Sequence, residues 1–189
     1  MIRLFVALAL PEGHRRQLAR LSQGVRDARW VRDENLHLTL RFIGEVEEPR
    51  VVEIADALGR VKGNRFMLTL AGIGHFQNGR SIRSLWAGTE ACDELVQLQN
   101  RIDNALRRAG VPPDGRRFTP HVTLARLKNG SAHQVGSWIE ANSLFRADPF
   151  SVDRFVLFES YLSHGGSIYS AVEEFALTGG DSPPAPNAA

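Results

Sequence analysis

Residues 36–44 read LHLTLRFIG, and they raise the question of why a histidine interrupts an otherwise strand-like run. Side chains on a strand alternate between faces, so Leu36, Leu38 and Leu40 share one face while His37, Thr39 and Arg41 share the other. A second stretch, TPHVTLARL at residues 119–127, repeats the pattern with His121 and Thr123 on one face and Val122 and Leu124 on the other. With 6 histidines and 6 threonines in 189 residues, random order would produce only about 0.2 His-x-Thr pairs per chain. Both copies continue Thr-Leu, and they stand 84 residues apart (121 minus 37). The chain therefore reads as two similar halves, each with one apolar and one chemical face on its motif strand.

The rest of the sequence supplies elements on either side of each motif. RLFVALAL reads as a buried strand, and Pro11 opens a helix predicted to run to about Ala28, with Leu18, Leu21 and Val25 at helical spacing. EEPRVVEIADALGRV predicts a second helix on Val51, Ile54, Ala55 and Leu58, followed by strands at RFMLTLAGIG and SIRSLWAG around a turn at FQNGR. Thr89 is a candidate N-cap for a third helix, with Glu90 and Asp93 early and Arg107 and Arg108 late, before Gly110. VPPDGRR reads as a loop and SAHQVGSWIEAN as a short helix, and FSVDRFVLFES pairs with SIYSAVEEFAL in a hairpin around SHGG. This mixture with hairpins favours an α+β class over a doubly wound parallel sheet. One domain is expected over residues 1–178, with GGDSPPAPNAA at the end reading as a disordered tail over 179–189. If a pseudo-twofold relates the halves, both histidines point into a central cleft.

Composition narrows the chemistry. The chain carries 23 basic and 21 acidic residues and 43% hydrophobic residues, an ordinary globular composition, with arginines clustered at residues 14–20, 26–32, 107–110 and 115–118. Such clusters suit a local anionic site rather than wholesale coating of nucleic acid. Cys92 is the one cysteine, so neither an intrachain disulfide nor a cysteine zinc site can form, which fits a reducing cytoplasm. The opening apolar run is too short to span a bilayer, and no metal-ligand motif, Walker loop or dinucleotide fingerprint is present. No cofactor and no metal are expected.

Two imidazoles and two hydroxyls on one site suit metal-independent phosphodiester hydrolysis. One neutral histidine takes a proton from water, a protonated one gives its proton to the leaving oxygen, and each threonine hydroxyl donates to a non-bridging phosphoryl oxygen. Symmetry alone leaves open which histidine does which.

The paired HLTLRFIG and PHVTLARL, the opening RLFVALALP, the RSLWAG strand and the closing LFESYLSHGGSIYSAVEEFAL resemble the bacterial and archaeal RNA 2′,3′-cyclic phosphodiesterase family, also called 2′-5′ RNA ligase, of the two-histidine phosphoesterases. The resemblance covers nearly the whole chain except the tail. It implies a bilobal two-histidine phosphoesterase fold, with antiparallel sheets lining a central cleft and helices outside. It implies His37 as proton donor, His121 as proton acceptor, Thr39 and Thr123 on the phosphate oxygens, and opening of the ring at the 3′ oxygen to leave a 2′-phosphate. Arg126 matches the arginine after the family's second motif and would bind substrate phosphate. Strict alternation sets Arg126 opposite His121, so this role requires a bulge or strand end near Ala125, whereas Arg41 has the better geometry. The expected partner is RNA with 2′,3′-cyclic phosphate ends, with no membrane and no obligate protein partner, for a monomeric cytoplasmic enzyme. Two alternatives stand beside this reading, a cyclic phosphodiesterase of small nucleotides and a non-catalytic module that holds RNA ends. His75 and His164 read as turn residues. Phe42, Phe76, Phe118 and Tyr169 are candidates for base stacking or for the core.

Overall fold

The structure, a computed structural model, describes residues 1–163 and 166–179. Among them ten strands and four α-helices alternate in a repeated order. The first half runs β1 (Ile2–Ala9), α1 (Glu12–Ala19), the short β2 (Arg29–Trp30), β3 (His37–Val46), α2 (Glu48–Gly59) and β4 (Phe66–Leu68). After β5 (Leu70–Asn78), the second half runs β6 (Ser81–Thr89), α3 (Asp93–Arg108), β7 (His121–Gly130), α4 (Ala132–Ala141) and β8 (Phe150–Val152). The hairpin β9 (Arg154–Ser163) and β10 (Gly166–Ala176) closes the chain.

An antiparallel sheet in the order β10-β9-β1-β3-β7-β6-β5, with β2 beside β7, spans both halves, and β4 and β8 form a separate ladder. The outer strands exchange. β5, which follows the first half, pairs with β6 of the second, and β9, which follows the second half, pairs with β1 of the first. The halves are therefore interlocked and share one hydrophobic core. They meet where Leu38 of β3 pairs antiparallel with Val122 of β7. These two residues hold equivalent places, each just after its histidine, and antiparallel pairing of equivalents is what a local twofold produces.

Helices cover the apolar side. α3 buries Leu95, Leu98, Ile102 and Leu106 at 3- and 4-residue spacing, so one continuous stripe faces the sheet. α2 buries Ile54 and Leu58, and α4 is capped by Ser131 Oγ, which accepts from the Gln134 amide at 3.5 Å. Two expectations are corrected. α1 ends at Ala19 rather than near Ala28, because Gly24 and Asp27 adopt positive φ of 87° and 61°, which no helix accommodates. Val25 is still buried, reaching the core from a turn. Thr89 caps nothing. It is the last residue of β6, and Cys92 occupies the N-cap of α3. At the C-terminus, the Arg65 amide donates to the Gly179 carbonyl at 2.8 Å, so backbone pairing extends to the first residue of the predicted tail. Residues 180–189 and His164 lie outside the described residues.

Candidate active site

The register of the two motif strands brings their polar side chains together. With Leu38 opposite Val122, antiparallel geometry sets His37 next to Thr123 and Thr39 next to His121, all on the face away from the buried leucines. Each strand then breaks its alternation at the same offset. In β3, Ala7 lies opposite Thr39 and Val6 opposite Arg41, which leaves Leu40 without a partner. In β7, Trp86 lies opposite Thr123 and Leu85 opposite Ala125, which leaves Leu124 without one. These are β-bulges, in which one extra residue re-aims everything after it.

The bulges reverse the expectation for the two arginines. Leu40 and Arg41 both turn toward the core, and Arg41 is only 4% exposed. Its Nε donates to Asp103 Oδ1 of α3 at 2.6 Å, and its other nitrogens donate to the carbonyls of Phe42 and Pro112. Arg41 is thus spent on the fold, on the face opposite His37. In the second strand Leu124 and Ala125 are both buried and Arg126 emerges on the side of His121. Its guanidinium is close enough that its charge disfavours protonation of both histidines. Phe42, one residue beyond Arg41, takes in the first half the place that Arg126 takes in the second.

The two imidazoles are held identically. Nδ1 of His37 lies 2.7 Å from the Asn35 carbonyl and Nδ1 of His121 lies 2.7 Å from the Thr119 carbonyl, in each case two residues back. A carbonyl only accepts, so Nδ1 carries the hydrogen and Nε2 is the atom left for chemistry. Burial pushes the His37 pKa down to about 4, against the opposing pull of the Asn35 carbonyl, with the charges of Arg126 and His121 lowering it further. Burial also lowers the pKa of His121, again opposed by its carbonyl, with Arg126 as a further lowering charge. Both shifts favour the neutral ring at pH 7, and an anion beside Arg126 would offset its charge and ease protonation.

Aromatic rings brace each histidine. Tyr169 meets His37 edge-on at 5.1 Å and Phe5 lies 4.9 Å away. Phe76 meets His121 edge-on at 4.8 Å, and Trp86 is 6.3 Å from it. Trp86 lies over β5 at Gly74, where an added Cβ would stand 2.3 Å from the indole. The sequence reading missed Phe5, Trp86 and Gly74, because their role depends on cross-strand register. His75 neighbours Phe76 on β5 and lies 3.4 Å from Gln77 Oε1. A groove of about 830 Å³ between α2 and α3, lined by Arg60, Lys62, Arg101 and Arg108 among others, contains none of the motif residues. Among the described residues, no group of three His, Cys, Asp or Glu side chains is arranged to hold a metal ion, and no helix is long and apolar enough to cross a membrane.

This doubled site agrees with the comparison to known families. Residues 8–86 and 88–169 each match the family model described as LigT-like phosphoesterase. The chain belongs to the LigT-like phosphoesterase family. Among its relatives, a Thermotoga maritima protein named RNA 2′,3′-cyclic phosphodiesterase is 33% identical over 187 residues, covering 95% of this chain and 97% of the relative. An Escherichia coli K12 protein of the same name is 30% identical over 186 residues, covering 93% and 97%. The crystal structure of E. coli LigT in apo form superposes with a TM-score of 0.77 at 30% identity, covering 94% of this chain and 98% of that one. The LigT-like fold is thus the α+β, two-half architecture expected from the paired motifs.

Proposed function

We propose that this protein hydrolyses the 2′,3′-cyclic phosphate ends of RNA to 2′-phosphate ends, by metal-independent acid–base catalysis between His37 and His121. The observation that carries the reading is the symmetric pair of imidazoles, each with Nδ1 engaged by a carbonyl so that Nε2 is the atom left for proton transfer, and each feeling the charge of Arg126. The names of the relatives above support the substrate class. His121 Nε2 accepts a proton from water as the water oxygen bonds to phosphorus, the bond from phosphorus to O3′ breaks, and His37 Nε2–H gives its proton to O3′. Thr39 and Thr123 donate to the non-bridging oxygens, and Arg126 balances the phosphate charge. Afterwards His121 returns its proton to solvent and His37 regains one. With a 5′-hydroxyl in place of water the same steps would form a 2′-5′ linkage, His121 taking the proton of the attacking hydroxyl and His37 giving one to O3′ as it leaves.

The catalytic unit in this reading is one bilobal domain over residues 1–178, acting as a monomer in the cytoplasm, the compartment that the lone Cys92 suits. The test is a ring-opening assay on an oligoribonucleotide ending in a 2′,3′-cyclic phosphate, with the enzyme extensively treated with EDTA. Turnover persists if the reading holds, and turnover that vanishes and returns with a divalent ion refutes it.

A further inference from the structure

β2 is two residues long and pairs with β7 alone, Arg29 opposite Arg126 and Trp30 opposite Ala125. The Val31 amide extends the pairing with a bond of 2.8 Å to the Leu124 carbonyl. Residues directly opposite on paired strands point to the same face. Trp30 follows the buried Ala125 to the core, where its ring packs 6.0 Å from that of Trp138. Arg29 therefore follows Arg126 onto the face of the histidines, and both arginines are exposed. On its other edge β7 meets Ser84 of β6 at Arg126, so the row across the sheet reads Arg29, Arg126, Ser84. Among the described residues no carboxylate forms an ion pair with either arginine. Like charges directly opposite on neighbouring strands repel. Anions bound in front of the pair remove that repulsion.

The place of Arg29 in the sheet says which anion it meets. β6 occupies one edge of β7, so β2 and β3 share the other. Arg29 thus continues the line of β3 on the His37 side, three residues along β7 from Thr123, or roughly 10 Å. The inference rests on the hydrolase reading above, in which O3′ leaves toward His37 and the terminal ribose lies on that side of phosphorus. A cyclic phosphate carries a single negative charge, which Arg126 balances. That leaves Arg29 unbalanced. The next anion along an RNA end is the phosphodiester on the 5′ oxygen of the same terminal ribose. We propose that Arg29 binds this 5′ phosphate, so that β2 supplies a second phosphate subsite and the enzyme distinguishes an RNA end from a cyclic nucleoside phosphate that lacks it.

The test measures kcat/KM on three substrates: adenosine 2′,3′-cyclic phosphate, the same compound bearing a 5′-phosphate, and the dinucleotide ApA ending in a 2′,3′-cyclic phosphate. Wild type is expected to favour both of the latter over the first. Arg29→Gln should lower that preference by roughly 3- to 30-fold, between the contribution of an exposed ion pair and that of a charge-assisted hydrogen bond. It should also weaken the salt dependence seen with the dinucleotide, and Arg29→Lys should keep most of the preference. Equal efficiency of the wild type on all three substrates overturns the subsite. A preference for the dinucleotide alone overturns it too, because the second nucleoside rather than the phosphate is then recognised. So does a loss in Arg29→Gln shared equally by all three, which would put Arg29 on the cyclic phosphate beside Arg126, and so does a preference that the substitution leaves unmoved. Wild type that opens none of the three overturns the hydrolase reading and the subsite together.

Discussion

Replacing Arg41 with methionine separates a structural arginine from a substrate-binding one. In the structure this change removes a cation that is 4% exposed and leaves three acceptors behind it, the Asp103 carboxylate and the carbonyls of Phe42 and Pro112. Breaking a buried ion pair from one side costs about 3–5 kcal/mol. The Asp103 side chain is 26% exposed, so water relieves part of its loss, but the stranded carbonyls add to the cost. We expect a loss of about 3–5 kcal/mol in urea unfolding, or roughly 6–20 °C in Tm for a chain of this size. Adding Asp103→Leu to Arg41→Met should recover much of it, since a well-packed apolar pair can replace a buried ionic one. The assay is urea denaturation alongside kcat and KM on a cyclic-phosphate RNA. A variant that unfolds within about 1 kcal/mol of wild type yet binds substrate many-fold more weakly would refute the bulge-based assignment and return Arg41 to the substrate.

Other expectations follow from the same geometry. His37→Ala and His121→Ala should each reduce kcat by roughly 10²- to 10⁴-fold while retaining native circular dichroism, and near-normal turnover in either would count against paired acid–base catalysis. The folded pKa of His37, about 4, lies below the ordinary value, so the unfolded chain binds more protons between the two. Stability from this residue is complete above about pH 6.5 and is lost as pH falls toward 4, on the order of 3 kcal/mol in all. Unfolding of wild type and His37→Phe across that range measures it, and identical slopes would contradict burial of His37 as a neutral ring. Gly74→Ala should displace the Trp86 indole, which its Cβ would meet at 2.3 Å, and shift tryptophan fluorescence, and an unchanged spectrum and kcat would remove Trp86 as a brace for His121.

The division between what the sequence disclosed and what it concealed follows from which signals are local. His37 and His121 with their threonines were legible because alternation holds over the three residues from histidine to threonine. Alternation failed at Leu40 and Leu124, since a bulge is a mismatch between two strands and neither strand's sequence records it alone. That is why Arg41 looked better placed than Arg126 and proved to be behind the sheet. The end of α1 is not legible in the sequence because Leu18 and Val25 are both buried, one from a helix and one from a turn, and an apolar spacing alone does not distinguish them. Thr89 looked like a cap because β6 runs longer than its apolar pattern. The exchange of β5 and β9 between halves, and with it the placing of Phe76 beside His121, is a property of topology that no local window contains.

The most direct measurement is the identity of the phosphate produced. An RNA ending in a 2′,3′-cyclic phosphate is incubated with EDTA-treated enzyme, and the product is examined by phosphorus NMR against 2′- and 3′-nucleotide standards. With His37 giving its proton to O3′ and His121 activating water on the opposite side of phosphorus, the end formed is a 2′-phosphate beside a free 3′-hydroxyl. A dominant 3′-phosphate, or an unopened ring, would contradict the assignment of donor and acceptor on which the account rests.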